Sequence, residues 1–272
     1  MEPAVWSSYL IDLSPEEMVS VLAGAGWRAS ELSDEHGAAL LARGRPAAVG
    51  REFRRFAEDH GLRFPQGHLW LTADIAAQNQ HEVLDRLKEW LDLFAAVGVG
   101  AGVLHPGGEA MRQSGRSGEE VLQAQVAGLT ALTRHVRGGD LVICLENIVS
   151  QAPLADDLRT IIDACGGEHL GICLDTGHLN LAGGEQGRFV RQAGNLLKAL
   201  HLADNDGSGD QHLMPFARGT VRWGELMAAL RETGYAGLFN FEIPGENRCP
   251  LPVRLAKLDY LKAAAEFLLR QM

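Results

Sequence analysis

The sequence predicts a (β/α)8 TIM barrel, an α/β fold built on a parallel eight-stranded sheet, with residues 1–272 forming a single domain. Three observations predict it. Short apolar runs containing β-branched residues alternate with longer amphipathic stretches along the whole chain. There are eight such runs, so the 272 residues divide into units of about 34, the size of a βαβ repeat element. Residues able to do chemistry recur directly after the runs, where barrel strands open into the mouth. A doubly wound open sheet is the alternative arrangement.

The first strand falls over AVWSSYLI (4–11). SPEEMVSVLAGAG then opens on a capping box, Ser14 with Glu17 three positions on, and closes on glycine, which marks a helix. WRASELS (27–33) is the second strand, and beyond it GREFRR (50–55) puts Arg51, Arg54 and Arg55 on an amphipathic helix facing bulk solvent. The third strand, LRFPQGHLW (62–70), leads to EVLDRLKEWLDLFAAVG, which is apolar at the helical period. VGAGVLH (99–105) and DLVICLEN (140–147) are the fourth and fifth strands, followed by the helices EEVLQAQVAGLTALTRHV and LADDLRTIIDAC. LGICLDT (170–176), LKALHLAD (197–204) and LFNFEI (238–243) complete the set, with WGELMAALRETG before the last strand and VRLAKLDYLKAAAEFLL after it. GVGAG (98–102) lacks the strand before and the helix after that a dinucleotide loop requires.

Composition narrows the function classes. Hydrophobic content of 46% and charged content of 22%, without low-complexity segments, fit a soluble globular protein rather than a disordered one. A net charge of −10, from 25 basic and 35 acidic residues, argues against nucleic acid or an anionic membrane surface as partner. MEPAVWSSYLIDLSPEEM has neither a basic n-region nor an unbroken apolar core, so the expected location is cytoplasmic. The run from Leu93 to Leu104 is shorter than the about 20 apolar residues a membrane span needs. Cys144, Cys165, Cys173 and Cys249 show no CxxC spacing and are expected as free thiols. The oligomeric state is left open, a homo-oligomer included.

The strand-end rule picks out His68, His105, Glu146, Asp175, His201 and Glu242. Burying several carboxylates in one cavity is costly unless cations compensate them. Imidazole with carboxylate suits Zn2+, Mn2+ or Co2+, whereas an all-oxygen site would suit Mg2+ or Ca2+. A divalent metal is therefore the expected cofactor. Cys144 and Cys173 lie two residues before Glu146 and Asp175, so they face the barrel interior, as soft ligands or, being deeper than the mouth, more commonly as small apolar fillers. Trp70 and Trp6 offer an apolar wall for a sugar ring or simply pack. Glu31, near the end of the second strand, reads as a substrate contact or, more commonly, a solvated loop acid, and His36, His60, His81, His135 and His169 as surface residues.

With LHPGG (104–108), CLEN (144–147), GICLDTGHLNLAGG (171–184), HLADNDGSGDQH (201–212) and FNFEIPG (239–245) in this order, most of the chain resembles the xylose-isomerase-like barrels. These include sugar and sugar-phosphate isomerases and epimerases, and endonuclease IV. The resemblance to the epimerases implies that Glu146, Asp175, His201 and Glu242 hold one metal. It also implies that Glu146 and Glu242 exchange protons with a substrate carbon through a metal-stabilised enediolate, and that His178 binds a substrate oxygen or a metal. The substrate is then a small carbohydrate-like molecule, and dehydration of a cyclic polyol is a close variant.

The resemblance to endonuclease IV implies a zinc phosphodiesterase, for which His68, His105, His178, Asp210 and His212 are the additional ligands. The acidic balance and the lack of a basic stripe with interleaved aromatics favour the small molecule. In the glycine-rich loop, Asp204 and Asp206 orient neighbours or cap the turn. Just beyond it, where many relatives read Gly-Glu-Gly, this chain reads Ala217, Arg218, Gly219. A guanidinium there suits a substrate phosphate or carboxylate.

Overall fold

A computed structural model describes residues 1–245 and 247–271. Eight parallel strands lie in the order β7-β6-β5-β4-β3-β2-β1-β8: β1 (Glu2–Trp6), β2 (Ala29–Leu32), β3 (Arg63–His68), β4 (Ala101–Leu104), β5 (Val142–Glu146), β6 (Leu170–Asp175), β7 (Leu197–His201) and β8 (Leu238–Phe241). β7 and β8 meet just beyond the end of β7, where Leu202 bridges Phe241 in parallel, Leu202 N–H donates to Asn240 and Glu242 N–H donates to Leu202. That seam completes a (β/α)8 barrel.

The helices are α1 (Pro15–Gly24), α2 (Asp34–Leu41), α3 (Pro46–Asp59), α4 (Gln80–Val97), α5 (Glu109–Gln113), α6 (Gly118–Val136), α7 (Ala155–Ala164), α8 (Thr176–Leu181), α9 (Gln186–Ala193), α10 (Trp223–Thr233) and α11 (Leu251–Leu269). The capping box forms as the sequence predicts: Ser14 N–H donates to Glu17, and Glu17 N–H to the Ser14 hydroxyl. Gly98, at φ 94°, ends α4 in the left-handed conformation, so GVGAG is a helix stop running into β4. Arg51, Arg54 and Arg55 lie exposed on α3, with Arg54 paired to Glu58 one turn on.

The strands are shorter than the sequence suggests, and the first departs from its expected range for a visible reason. Ser7–Leu10 form a 3-10 turn rather than the end of β1. The Ser7 hydroxyl accepts from Ser33 N–H and bonds the His36 ring, and these bonds draw the chain off the sheet after Trp6. The same bonds correct the reading of His36 as a surface residue, because its ring is buried against Ser7, Ser33 and the Leu13 carbonyl.

Between sheet and helices the core is apolar and tight; a side chain at Gly67 would sit 2.7 Å from the Phe94 ring of α4. Inside the barrel, Val103, Cys144, Cys173 and Ala199 form a separate small-residue cluster, so the two cysteines are fillers as predicted. Strand parity puts this layer two residues below Glu146, Asp175 and His201 and leaves the volume above it to polar groups. All four cysteines are free thiols, and no described helix is long and apolar enough to cross a membrane.

Candidate functional site

The barrel mouth gathers Glu146 from β5, Asp175 from β6, His201 from β7 and Glu242 from just beyond β8. Each offers one ligand atom lying within 4.8 Å of the other three, and all four residues are buried. His201 Nδ1 stands 3.3 Å from Glu146 Oε1 and 3.4 Å from Glu242 Oε1. Glu146 Oε2, Asp175 Oδ2, His201 Nδ1 and Glu242 Oε2 are all buried without a well-formed hydrogen bond among the described residues. Orphaned buried polar atoms are costly, and one on each of four clustered ligand-type residues makes the group a candidate cation site.

Two further groups adjoin this one. His68 Nε2 and His105 Nε2 lie 3.4 and 3.5 Å from Glu146 Oε2. The His68 Nδ1–H donates to the Leu69 carbonyl at 2.7 Å, which leaves Nε2 facing the carboxylate. On the other side, Asp210 Oδ2 lies 3.2 Å from His178 Nε2 and 3.1 Å from His212 Nε2. Again backbone carbonyls hold the outer nitrogens, with His178 Nδ1–H donating to Asn147 at 3.1 Å and His212 Nδ1–H to Glu242 at 2.8 Å. His212 takes φ 44°, an uncommon backbone conformation for a side-chain-bearing residue.

The charges separate accordingly. Burial would raise Glu146, but the His201 charge and the nearby His105 and His178 rings hold it well below the usual carboxylate range. Burial pushes Glu242 up to about 8, with Glu146 adding to the rise and His201 opposing it. Burial disfavours a charged ring at His178 and His212, yet Asp175 and Asp210 at the first, and Asp210 and Glu242 at the second, raise them to about 12 and about 10. For His68 the same burial is overcome by Glu146, which brings it to about 9, while burial lowers His105. Without a cation, protons on the rings hold the carboxylates together.

The glycine-rich loop frames the mouth. Asp204 is buried and accepts from Asn205 N–H, Val221 N–H and the Trp223 indole. A side chain at Gly219 would come within 2.0 Å of that carboxylate, so glycine is required there. Asp206 caps the turn by accepting from Ser208 N–H and Oγ. Arg218 is 69% exposed, its guanidinium 4.0 Å from Asp206. Trp70 is half-buried and packs against the core cluster, with Arg86 4.3 Å from its ring centre, and Trp6 is buried.

Glu31 corrects the sequence reading, which has it as a solvated loop acid. It is 0% exposed, accepts from His201 Nε2 at 3.0 Å, and accepts from the Asn240 amide with its other oxygen. Parity was the available signal: Ala29 packs with Ala4 and Leu238 in a small buried cluster, and Glu31, two residues on, faces the same way. Asn147 also escaped the strand-end rule. Its amide exchanges two bonds with the Asp175 backbone, at 2.7 and 3.0 Å, and so ties the ends of β5 and β6 together.

Fold and site together define a (β/α)8 barrel with a histidine–carboxylate centre in its mouth. The family described as Xylose isomerase-like TIM barrel matches residues 19–271, and the chain belongs to it. It is 28% identical over 195 residues to y4fM, an uncharacterized protein of Sinorhizobium fredii, covering 70% of this chain and 59% of that one. It is 34% identical over 76 residues to a D-psicose 3-epimerase of Enterocloster bolteae, covering 28% and 23%. The chain thus spans less than two thirds of the length of these relatives. In structure it is similar to D-psicose 3-epimerase of Clostridium cellulolyticum H10, solved with D-tagatose, at a TM-score of 0.82, 14% identity and 99% coverage of both chains.

Proposed function

We propose that the chain is a divalent-metal-dependent isomerase or epimerase of a small sugar, sugar phosphate or related polyhydroxy carbonyl compound. Glu146, Asp175, His201 and Glu242 would hold one Zn2+, Mn2+ or Co2+. The supporting observation is the convergence of these four residues, each with a buried donor atom lacking a well-formed hydrogen bond among the described residues. Such a cation supplies positive charge beside the substrate oxygens on which negative charge develops.

The remaining work falls to the side chains. Glu146, kept ionised by the rings around it, takes the proton from the carbon next to the carbonyl. Glu242 returns a proton from the other side, so one proton is taken and one given, and the two carboxyls regain their starting states by exchange with solvent. His178 hydrogen-bonds a substrate oxygen, Trp70 offers an apolar wall, and Arg218, exposed at the rim, reaches for an anionic substituent.

A second reading, a zinc phosphodiesterase, is favoured by one observation. His68 with His105 on Glu146, and His178 with His212 on Asp210, present nitrogen donors suited to further cations. Metal counting on the purified chain, together with two activity measurements, separates the readings. One tightly bound cation and solvent deuterium entering a sugar α-carbon support the isomerase. Three zinc ions and cleavage of a phosphodiester, without exchange at carbon, replace it with the hydrolase.

A further inference from the structure

We propose that Glu31 is a positioning residue for the metal centre, holding the proton of His201 on Nε2 so that Nδ1 is the nitrogen offered to a cation. The inference rests on the reading of His201 as a metal ligand. The geometry leaves Glu31 no part in substrate contact. It is 0% exposed, and both its oxygens are engaged, one by His201 Nε2 at 3.0 Å and the other by Asn240.

A carboxylate can only accept, so a ring nitrogen at 3.0 Å must carry the hydrogen. Moving that proton to Nδ1 would set a lone pair against Glu31 and point the hydrogen between Glu146 Oε1 and Glu242 Oε1, 3.3 and 3.4 Å away. The His68 ring lies beside that of His201, centroids 5.6 Å apart and planes 22° from parallel.

Charge explains why the residue is an acid. Another buried carboxylate beside Glu146, Asp175 and Glu242 adds repulsion in a cavity already crowded with acids, and a glutamine would bond the ring at lower cost. What only the carboxylate supplies is a more basic imidazole, hence a stronger donor on the opposite nitrogen. Asn240, reaching in from β8 to the second oxygen, keeps the carboxylate from turning away.

The test is zinc affinity, measured by competition with a chromophoric chelator on folded protein. Glu31→Ala is expected to weaken binding by about 10- to 100-fold, with Glu31→Gln in between. In a His201→Ala background, Glu31→Ala should add no further loss, because the effect passes through the ring. A Glu31→Ala affinity within about twofold of the parent, alongside a large His201→Ala loss, overturns the role of Glu31 and leaves His201 as ligand. A His201→Ala affinity equal to the parent overturns the ligand reading itself, and this inference with it. Should the Glu31 variants fail to fold, nitrogen NMR of the zinc-loaded parent decides: a proton on His201 Nε2 is expected, and one on Nδ1 refutes the proposal.

Discussion

Replacing Glu242 by glutamine should stabilise the metal-free chain while weakening its hold on zinc. Burial pushes this carboxyl up to about 8, so at neutral pH the fold retains a proton that the unfolded chain has released. A raised carboxyl costs nothing below its ordinary value of 4.5, and the cost grows as pH climbs from there toward 8. At 1.36 kcal/mol per pH unit, the penalty reaches about 3 kcal/mol at about pH 7 and is below about 1 kcal/mol at about pH 5. Glutamine is uncharged throughout and avoids it. For a chain of this size, about 3 kcal/mol corresponds to roughly 6–12 °C in melting temperature. The assay is thermal unfolding of chelator-treated parent and Glu242→Gln across that pH range, repeated with zinc. The variant should melt higher near neutrality, converge with the parent in acid, and gain less from zinc. A variant that is less stable at neutral pH, or a gap that does not change with pH, refutes the electrostatic account of the site.

Three further outcomes follow from the same geometry. Burial holds Glu242 up to about 8, and although burial opposes charge on His201, the surrounding carboxylates raise it well above its usual value, so two of the four proposed ligands carry a proton at neutral pH that a cation must displace. Zinc binding should then release protons, with affinity falling at least about tenfold per pH unit of acidification; calorimetry in buffers of different ionisation heat that detects no release contradicts this. Asp204→Ala strands the Asn205 and Val221 amides and the Trp223 indole in a buried setting, and should cost about 2–4 kcal/mol in urea unfolding. Arg218 is 69% exposed, so Arg218→Ala should raise KM for an anionic substrate only about two- to fivefold, leaving neutral substrates unaffected. Equal KM values on both substrate classes would remove Arg218 from substrate recognition.

The sequence revealed strand ends better than it revealed what stands behind them. Glu146, Asp175 and His201 end apolar runs that read as barrel strands, so their convergence was readable from periodicity and the strand-end rule. The groups that hold them were hidden for a physical reason. Glu31 is contacted by His201 and Asn240, 170 and 209 residues away in the chain, and no local pattern carries such distances. His36 looked like an exposed helix residue because its partners, Ser7 and the Leu13 carbonyl, come from the turn after β1, which itself read as strand. Ser7 left the sheet through a hydroxyl-to-backbone bond whose acceptor and donor meet only after β1 and β2 pair. Side-chain competition with backbone pairing is a tertiary event, and propensity does not see it.

The site also bears on how the barrel closes. Every neighbouring strand pair except β7 and β8 is joined along several residues, whereas these two meet at the isolated Leu202–Phe241 bridge. His201 precedes that bridge on one side and Glu242 follows it on the other. The carboxylate of Glu31 crosses the same gap, joined to His201 of β7 and to Asn240 of β8. Side chains thus bind the two strands where backbone bonds are few, and a cation held by His201 and Glu242, as proposed, would add a further link across the seam. The acidity that makes the metal-free mouth costly sits where the sheet has least hydrogen bonding to resist it. Cation binding would therefore act on fold stability through the β7–β8 junction first, and through the other strand pairs, already fully paired, much less.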